Sequence, residues 1–524
     1  MSDTSTRNLA RATAYIMAAY LASRVLGFLR ESLVADFFGR KGLTDAYNTA
    51  YILPDLIYWL MVGGVLSAAF IPVLSEYIAK GKQEEGWRVV SSVINIIFLA
   101  LSCLIILGLI FTPQFVRMEV PGFPPATTVL TVHVTRILLI QPLFMALSGL
   151  TMGILNAHKV FWPSALGTVL YNACIIVFGT LFVKMGAGIS GFAFGVVIGA
   201  AANFAVQVPA LRRLNMRYYP IIDWHHPGVR RIAVLAVPIV LSYSLNQFQV
   251  LINSHLGSSL PAGSLTALWQ SYRLFQLPVG IFAMSVAVAV FPTLTEQAAI
   301  EQWDQFRRTS SAAVRTVIFI TMPISIGMMV LRFPLIRVLF QHGAFKAADT
   351  AATAFPLLFF GFGIVAQSVI QILPRMFYAL KDTWTPVVLG VVSMAVDIVM
   401  MIVLVGPLQQ GGLAFATAIS AIVNMLLLLY WLRRKVGTID GRRLASTGGK
   451  SLLASLVMGG IVWGWSAWLS GHLGFGTIAS ILVLVSGSAL GAVVFGVLAK
   501  LMRMEELTQV MGLAERRLKL RAAH

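Results

Sequence analysis

The segment Ser23-Arg24-Val25-Leu26-Gly27-Phe28-Leu29-Arg30-Glu31, followed by Asp36 and Asp45, sets ionisable side chains into an otherwise apolar stretch. Charge inside a membrane is costly unless it is paired or faces water, so it marks either a wet cavity or a structural ion pair. Arg24 and Arg30 are six residues apart, about 240° around a helix, so they share a narrow face only where Gly27 lets the helix bend. Arg273 stands five residues before Pro278, where a carbonyl freed by the proline can bend a helix and open a polar pocket. Three guanidiniums converging would hold a phosphate or diphosphate, because the planar fork of Arg matches such oxygens. The alternative is that Arg24 and Arg30 snorkel, or pair with Glu31 and Asp45 near the membrane face. Arg136 and Arg375, nearer the ends of their apolar blocks, read as snorkelling anchors. Asp397, between Val396 and Ile398, has no basic neighbour in sequence. It reads as a proton or Na⁺ site, with a buried neutral acid as the alternative.

The elements that must position these residues follow from composition. Of 524 residues, 58% are hydrophobic and only 11% charged, with a mean hydropathy of +0.83; soluble domains are about 45–50% apolar and about 25% charged. A soluble globular enzyme is excluded. The apolar residues fall in blocks of about 20, the length that crosses a hydrocarbon core as a helix, rather than in the alternating runs of a β-barrel. Fourteen spans are predicted, roughly at 10–32, 46–78, 89–112, 130–155, 160–184, 187–209, 230–254, 264–297, 310–333, 350–379, 385–405, 411–432, 451–470 and 475–500. An even number puts both termini on one side. Of the 39 Lys and Arg residues, 27 lie in loops or termini on that side and seven on the other (Arg40, Lys41, Arg117, Lys184, Arg332, Arg337 and Lys346). The positive-inside rule makes the termini cytoplasmic and accounts for the net charge of +19, so nucleic acid is dropped as a partner. No cleavable signal peptide is evident, and Cys103 and Cys174 lie in apolar blocks, which supports no disulfide framework.

The chain repeats itself. Phe70-Ile71-Pro72-Val73-Leu74-Ser75-Glu76 reads against Val290-Phe291-Pro292-Thr293-Leu294-Thr295-Glu296 at an offset of 220. Pro163 with Leu166-Gly167 matches Pro386 with Leu389-Gly390 at 223, and Gly191-Phe192-Ala193-Phe194 with Asn203 matches Gly412-Leu413-Ala414-Phe415 with Asn424 at 221. The shift moves span 2 onto 8, 5 onto 11 and 6 onto 12, which makes two parallel six-helix repeats, the architecture of secondary transporters. Residues 1–220 and 221–440 form the two lobes, 441–505 two further helices, and 506–524 a cytoplasmic tail. Loops are too short to hold an ATPase, and Thr447-Gly448-Gly449-Lys450-Ser451 lacks the first glycine and the strand of a phosphate-binding loop. The histidines have no metal-site spacing. Gly191, Gly195 and Gly199, Gly460 and Gly464, and Gly487 and Gly491 are spaced for close helix packing.

Over nearly its whole length the chain resembles the MurJ (MviN) lipid II flippases of the multidrug/oligosaccharidyl-lipid/polysaccharide exporter superfamily. The likeness rests on the Ser23–Glu31 segment, on Thr44-Asp45-Ala46-Tyr47 leading to Leu53-Pro54-Asp55, and on Ala68-Ala69-Phe70 through Tyr77. It continues through Tyr272-Arg273-Leu274 with Leu277-Pro278-Val279-Gly280, Leu339-Phe340-Gln341-His342-Gly343-Ala344-Phe345, and Phe377-Tyr378-Ala379-Leu380-Lys381-Asp382-Thr383 with Thr385-Pro386-Val387. The resemblance implies two six-helix lobes around a cationic cavity, a groove between spans 13 and 14 for a polyprenyl tail, and export of an undecaprenyl-diphosphate-linked peptidoglycan precursor across the bacterial plasma membrane. It implies no catalysis, no cofactor beyond a coupling Na⁺ or H⁺, and membrane lipids and other cell-wall synthesis proteins as partners. Arg24, Arg30 and Arg273 match the family's cavity arginines, with Asp45 nearby, and Glu31 stands where Asp is usual. Asp397, with Asn253, Ser393 and Thr417 as weaker matches, falls near the family's cation site. Tyr58 stands where an arginine is usual, and Gly63-Gly64-Val65 where Glu-Gly-Ala is usual. An exporter of another lipid-linked oligosaccharide and a drug/cation antiporter of the same fold are the alternatives.

The charge asymmetry is testable directly. A thiol introduced at His524 should stay unlabelled by an impermeant reagent in intact cells and react once the membrane is opened; labelling of intact cells would invert the orientation.

Overall fold

The computed structural model describes residues 3–62, 70–214 and 216–508, without the side chains of 3–17, 237–239 and 241–246. Gly63-Gly64-Val65 and most of the tail 506–524 therefore lie outside the described residues. No strand occurs among those described. Lipid offers the backbone no hydrogen bonds, so a spanning chain must satisfy its own N–H and C=O groups, and helices do so within one segment.

The chain forms two compact units, Met1–Gly263 and Ser264–His524. The first holds α1 (Asp3–Phe38), α2 (Gly42–Thr49), α3 (Ile52–Met61), α4 (Ile71–Ala79), α5 (Gln83–Glu119), α6 (Pro125–Leu138), α7 (Gln141–Ala157), α8 (Trp162–Phe182), α9 (Ser190–Ala205), α10 (Val208–Arg213) and α11 (Pro227–Gly257). The second holds α12 (Ser264–Pro278), α13 (Met284–Ala299), α14 (Trp303–Val330), α15 (Arg332–Phe340), α16 (Ala347–Ile370), α17 (Leu373–Ala379), α18 (Trp384–Val436), α19 (Gly441–Leu473) and α20 (Thr477–Leu501). The first unit runs past the repeat boundary near residue 220 because α11 packs against α3 and α5.

Among the described residues ten helical segments are long and apolar enough to cross a membrane. The 53-residue α18 breaks at Gln409, where φ is 49°, and so supplies two of the expected spans. Expected spans 1, 2 and 7 fall on α1, on α2 to α4 and on α11. The architecture is an all-α polytopic membrane protein, consistent with fourteen spans. Proline in the first turn starts α4, α6, α7, α8, α10, α11 and α17, where its missing N–H costs nothing.

The duplication is written into the backbone. Left-handed residues recur at the repeat offset: Gly81 (φ 70°) and Glu301 (58°), Lys159 (61°) and Lys381 (59°), Gly188 (55°) and Gln409 (49°). The same hydrogen bonds surround them. Lys82 N donates to Tyr77 O as Gln302 N does to Gln297 O, and Val160 N to Leu155 O as Asp382 N does to Phe377 O. The glycine motif has a common cause as well. A Cβ on Gly191 would meet Val183 N at 2.8 Å, and one on Gly412 would meet Leu404 O, so each glycine lets a returning helix touch the one before it. Asp382 also ties the two halves of α18 together, accepting from Thr385 N at 3.0 Å and pairing with Lys435 at 2.5 Å. Burial pushes its carboxyl up, but the bonds from Lys435 and Thr385 outweigh it and hold the pKa at about 2. The pair therefore stays charged at physiological pH, and its contribution is lost only in acid, as pH falls through that value.

Glycine packing holds for Gly195 against Gly179, Gly199 against Tyr171, Gly487 against Leu331 and Gly491 against Val462 and Met458. It fails for Gly460 and Gly464, which meet nothing within 4 Å; the close approach on α19 is made by Gly459, against Ile326. Helix rotation explains the difference, since Gly459 lies on the buried side of α19, with Ser455, Met458 and Val462, and there meets Ile326 of α14.

A buried ion pair fastens the C-terminal helices to α14. Arg315, at the loop end of expected span 9, is only 8% exposed, and its guanidinium donates to Glu506 at 3.0 Å and to Glu505 at 3.2 Å. Glu506, 3% exposed, also accepts from Thr447 of α19 at 2.8 Å, and Lys450 donates to Met502 O at 3.0 Å. Around them Phe319, Met458, Val462 and Phe495 form one apolar cluster. Breaking a buried pair from one side leaves an uncompensated charge, at a cost of about 3–5 kcal/mol. Glu506→Ala should therefore lower the thermal unfolding midpoint clearly in detergent, and the double change Arg315→Met with Glu506→Met should restore much of it. An unshifted midpoint in Glu506→Ala would show that the pair does not hold these helices.

Candidate functional site

In the first unit the candidate residues cluster where α1 crosses α8. Arg30 donates to Glu31 through Nη2 at 2.7 Å and Nε at 3.2 Å, and through Nη1 to Asn172 Oδ1 at 3.4 Å. Asn172 is in turn fixed by Ser23, donating to its Oγ at 3.1 Å and its carbonyl at 3.3 Å, while Ser23 donates to Thr168 O at 3.1 Å. Tyr47, Tyr51 and Tyr171 stand near the same guanidinium. The hydroxyls of Tyr47 and Tyr51 are 2.6 Å apart. Arg30 is thus held in one orientation by a carboxylate and an amide, and Glu31 is 7% exposed. The ion-pair alternative describes Arg30 in this conformation. Arg24 differs. It is exposed on α1 and takes no hydrogen bond or ion pair among the described residues. The 240° between them is realised, with Arg30 turned into the helix contact and Arg24 away from it.

Two further candidates of this unit have other neighbours. Asp45 is 3% exposed and accepts from Gly263 N. The acceptor fastens α2 to the segment after α11, where Gly263 has a φ of 88° and a Cβ would strike Arg40. Tyr58 is half-buried against the apolar cluster that includes Leu53, Ile57 and Phe70, its ring 5.5 Å from that of Trp59. Asn253, on α11, donates to Gln249 O at 3.2 Å.

In the second unit Arg273 lies half-buried on α12. Pro278 does not break this helix. A single π turn, Val279–Ala283, absorbs the missing donor and carries α12 on into α13. The neighbouring Tyr272 stands among Trp269, Phe275 and Phe360, with ring centroids 5.6–6.2 Å away, and its hydroxyl accepts from Gln276 at 2.9 Å. Asp397 is fully buried on α18, which packs against α12. Of its weaker companions, Ser393 is spent on Ser420, oxygen to oxygen at 2.9 Å, and Thr417 donates to Leu413 O at 3.2 Å. No group of three or more His, Cys, Asp or Glu able to hold a metal ion occurs among the described residues.

Sequence reasoning missed Asn172, Tyr171, Tyr47 and Tyr51 around Arg30, and Arg315 altogether. A signal existed for three of them. Asn172 is a lone amide in span 5, and Tyr47 and Tyr51 are four residues apart, one helical turn. For Arg315 there was none, since Glu505 and Glu506 lie some 190 positions away.

Comparison with known proteins places the chain as a whole in a family. The family described as "Lipid II flippase MurJ" matches residues 34–484. A probable lipid II flippase MurJ of Buchnera aphidicola subsp. Acyrthosiphon pisum is 30% identical over 80% of this chain and 83% of its own length. One of Vibrio cholerae serotype O1 is 29% identical over 92% and 97%. Among solved structures, a lipid II flippase MurJ in an inward closed conformation superposes with a TM-score of 0.78 at 25% identity, over 93% of this chain and 98% of that one. A multidrug resistance MATE transporter of the MOP superfamily, inward-facing, shares the fold at a TM-score of 0.67 and 15% identity, over 81% of this chain and 95% of that one. With its repeat, its intramembrane arginines and a family match covering most of its length, the chain belongs to the lipid II flippase MurJ family.

Proposed function

We propose that this protein carries lipid II, the undecaprenyl-diphosphate-linked peptidoglycan precursor, from the cytoplasmic to the outer leaflet of the bacterial plasma membrane by alternating access, with both termini cytoplasmic. The observation that carries the reading is the presence, in a chain of this family, of guanidiniums on membrane helices of both units: Arg24 and Arg30 on α1, Arg273 on α12. Arginine supplies a fixed positive charge and a planar donor fork, which suits a diphosphate and repels the cations that a drug/cation antiporter would carry. The pairing of Arg30 with Glu31 fits a transporter, since a partner that can be exchanged for substrate keeps the charge tolerable while the site is empty. Residues 1–220 and 221–440 act as the lobes, and α19 and α20 take the polyprenyl tail. Asp397 binds the coupling Na⁺ or H⁺, with Asn253, Ser393 and Thr417 as accessory groups. Other cell-wall synthesis proteins are its partners beside the membrane lipids.

Tyr58, standing where the family usually has arginine, favours a second reading, export of another, less charged lipid-linked oligosaccharide. Lipid II affinity of the purified protein decides between the two. A lost charge-assisted hydrogen bond is worth about 1.5–3 kcal/mol, roughly 10- to 150-fold, so Arg273→Ala should weaken binding by that factor without loss of the folded protein. Tyr58→Arg should keep or tighten lipid II binding. Unchanged affinity in Arg273→Ala, or a large loss in a folded Tyr58→Arg, would contradict the lipid II assignment.

A further inference from the structure

Basic residues are scarce on the face opposite the termini, and three of the seven fall in one short stretch of the second unit: Arg332, Arg337 and Lys346. On that face the second unit has one acidic side chain, Asp349, whose Oδ2 accepts from Lys346 N at 2.8 Å. The positive-inside tendency works against such a cluster, so its persistence calls for a ligand or a structural partner. No carboxylate pairs with either arginine among the described residues. Arg337 is instead aimed by neutral groups: its Nε donates to Gln341 Oε1 and its Nη1 to Ser480 Oγ, both at 3.2 Å, and its guanidinium lies 5.3 Å from the ring centre of Phe475. Gln341 is itself held by Thr350, which donates to the same oxygen at 2.7 Å. Arg332 is placed by Met329 O and the ring of Phe333, 4.8 Å away.

The depth of Arg337 is set by its neighbours. Ser480 and Phe475 flank the turn between α19 and α20, and the last turns of α19 carry Trp465, Trp468 and His472 in mutual contact at 5.3 and 4.7 Å. Tryptophan gathered at a helix end marks the headgroup level of a bilayer. Arg337 thus stands at headgroup depth, beside the end of the α19–α20 pair, preoriented by two bonds and with the remaining three of its about five N–H donors unused among the described residues.

We infer that Arg337, in a stretch that also carries Arg332 and Lys346, forms a phosphate site in the leaflet opposite the termini, and that its occupant is the diphosphate of the transported lipid as it leaves. A phospholipid phosphodiester offers a guanidinium the same chemistry; the diphosphate is favoured because it carries more charge, and this stretch sets three cations against one carboxylate. The occupant rests on the proposed function and the leaflet on the charge asymmetry of the sequence, whereas the aiming of Arg337 rests on the geometry. It also gives the Leu339–Phe345 motif a task, since Gln341 orients the arginine while Phe340 and Phe345, each 1% exposed, anchor the turn.

The test uses the full-length protein in detergent, with retention of a polyprenyl diphosphate, of phosphatidylglycerol and of inorganic phosphate read by native mass spectrometry, and thermal unfolding as the check on folding. An Arg273→Ala background isolates this site from the proposed cavity. There, Arg337→Ala should lower polyprenyl diphosphate retention about tenfold or more, Arg337→Lys should lower it less, and phosphatidylglycerol should change little. Ser480→Ala, which keeps the charge and removes one orienting bond, should give a smaller loss in the same direction. Undiminished diphosphate retention in folded Arg337→Ala overturns the site. An equal loss of both lipids, or Arg337-dependent retention of inorganic phosphate alone, overturns the assigned occupant. Failure of the lipid II reading would appear separately, as equal polyprenyl diphosphate binding by wild type and Arg273→Ala.

Discussion

The cost of charge in a medium that cannot solvate it governs this molecule. With 11% of its residues charged, the chain keeps nearly all of them at the ends of its helices, and the exceptions show what each is for. Arg315 is buried and answered by two glutamates, which makes it a fastener. Arg30 is answered by Glu31 and by the amide of Asn172 and stands among phenols, so its charge is paired within its own unit. Arg24 stands exposed on the same helix. Removing the low dielectric removes the reason for these pairings, since ion pairs in water contribute little.

The same scarcity of solvent explains the backbone. Each half has to turn its chain at the membrane face with few residues, and both halves use the same left-handed positions to do it, even where the residue is Lys159, Lys381, Glu301 or Gln409 rather than glycine. Local strain at these positions is tolerated because helix packing on both sides fixes the turn. Glycine is retained where atoms would otherwise collide, as at Gly191 and Gly412.

Much of this was legible in the chain. The repeat could be read because proline and glycine are tied to backbone geometry and therefore recur at a fixed offset, and the spans because hydropathy and length are physical requirements of the bilayer. The rest depended on rotation and distance. That Gly459 and not Gly460 packs on α14 is a matter of about 100° of helix rotation. That Arg315 meets Glu506, and Asp45 the backbone of Gly263, joins positions far apart in the chain. The first unit extends through α11 because that helix packs on α3 and α5, which no local pattern announces.

Translocation itself is the most direct test of the account. Purified protein in proteoliposomes loaded with fluorescent lipid II should carry the label between leaflets, read as the fraction open to an impermeant quencher, faster than protein-free vesicles. A folded, correctly inserted protein that leaves the accessible fraction at the protein-free level would contradict the central claim that this chain's intramembrane arginines serve a lipid-linked diphosphate.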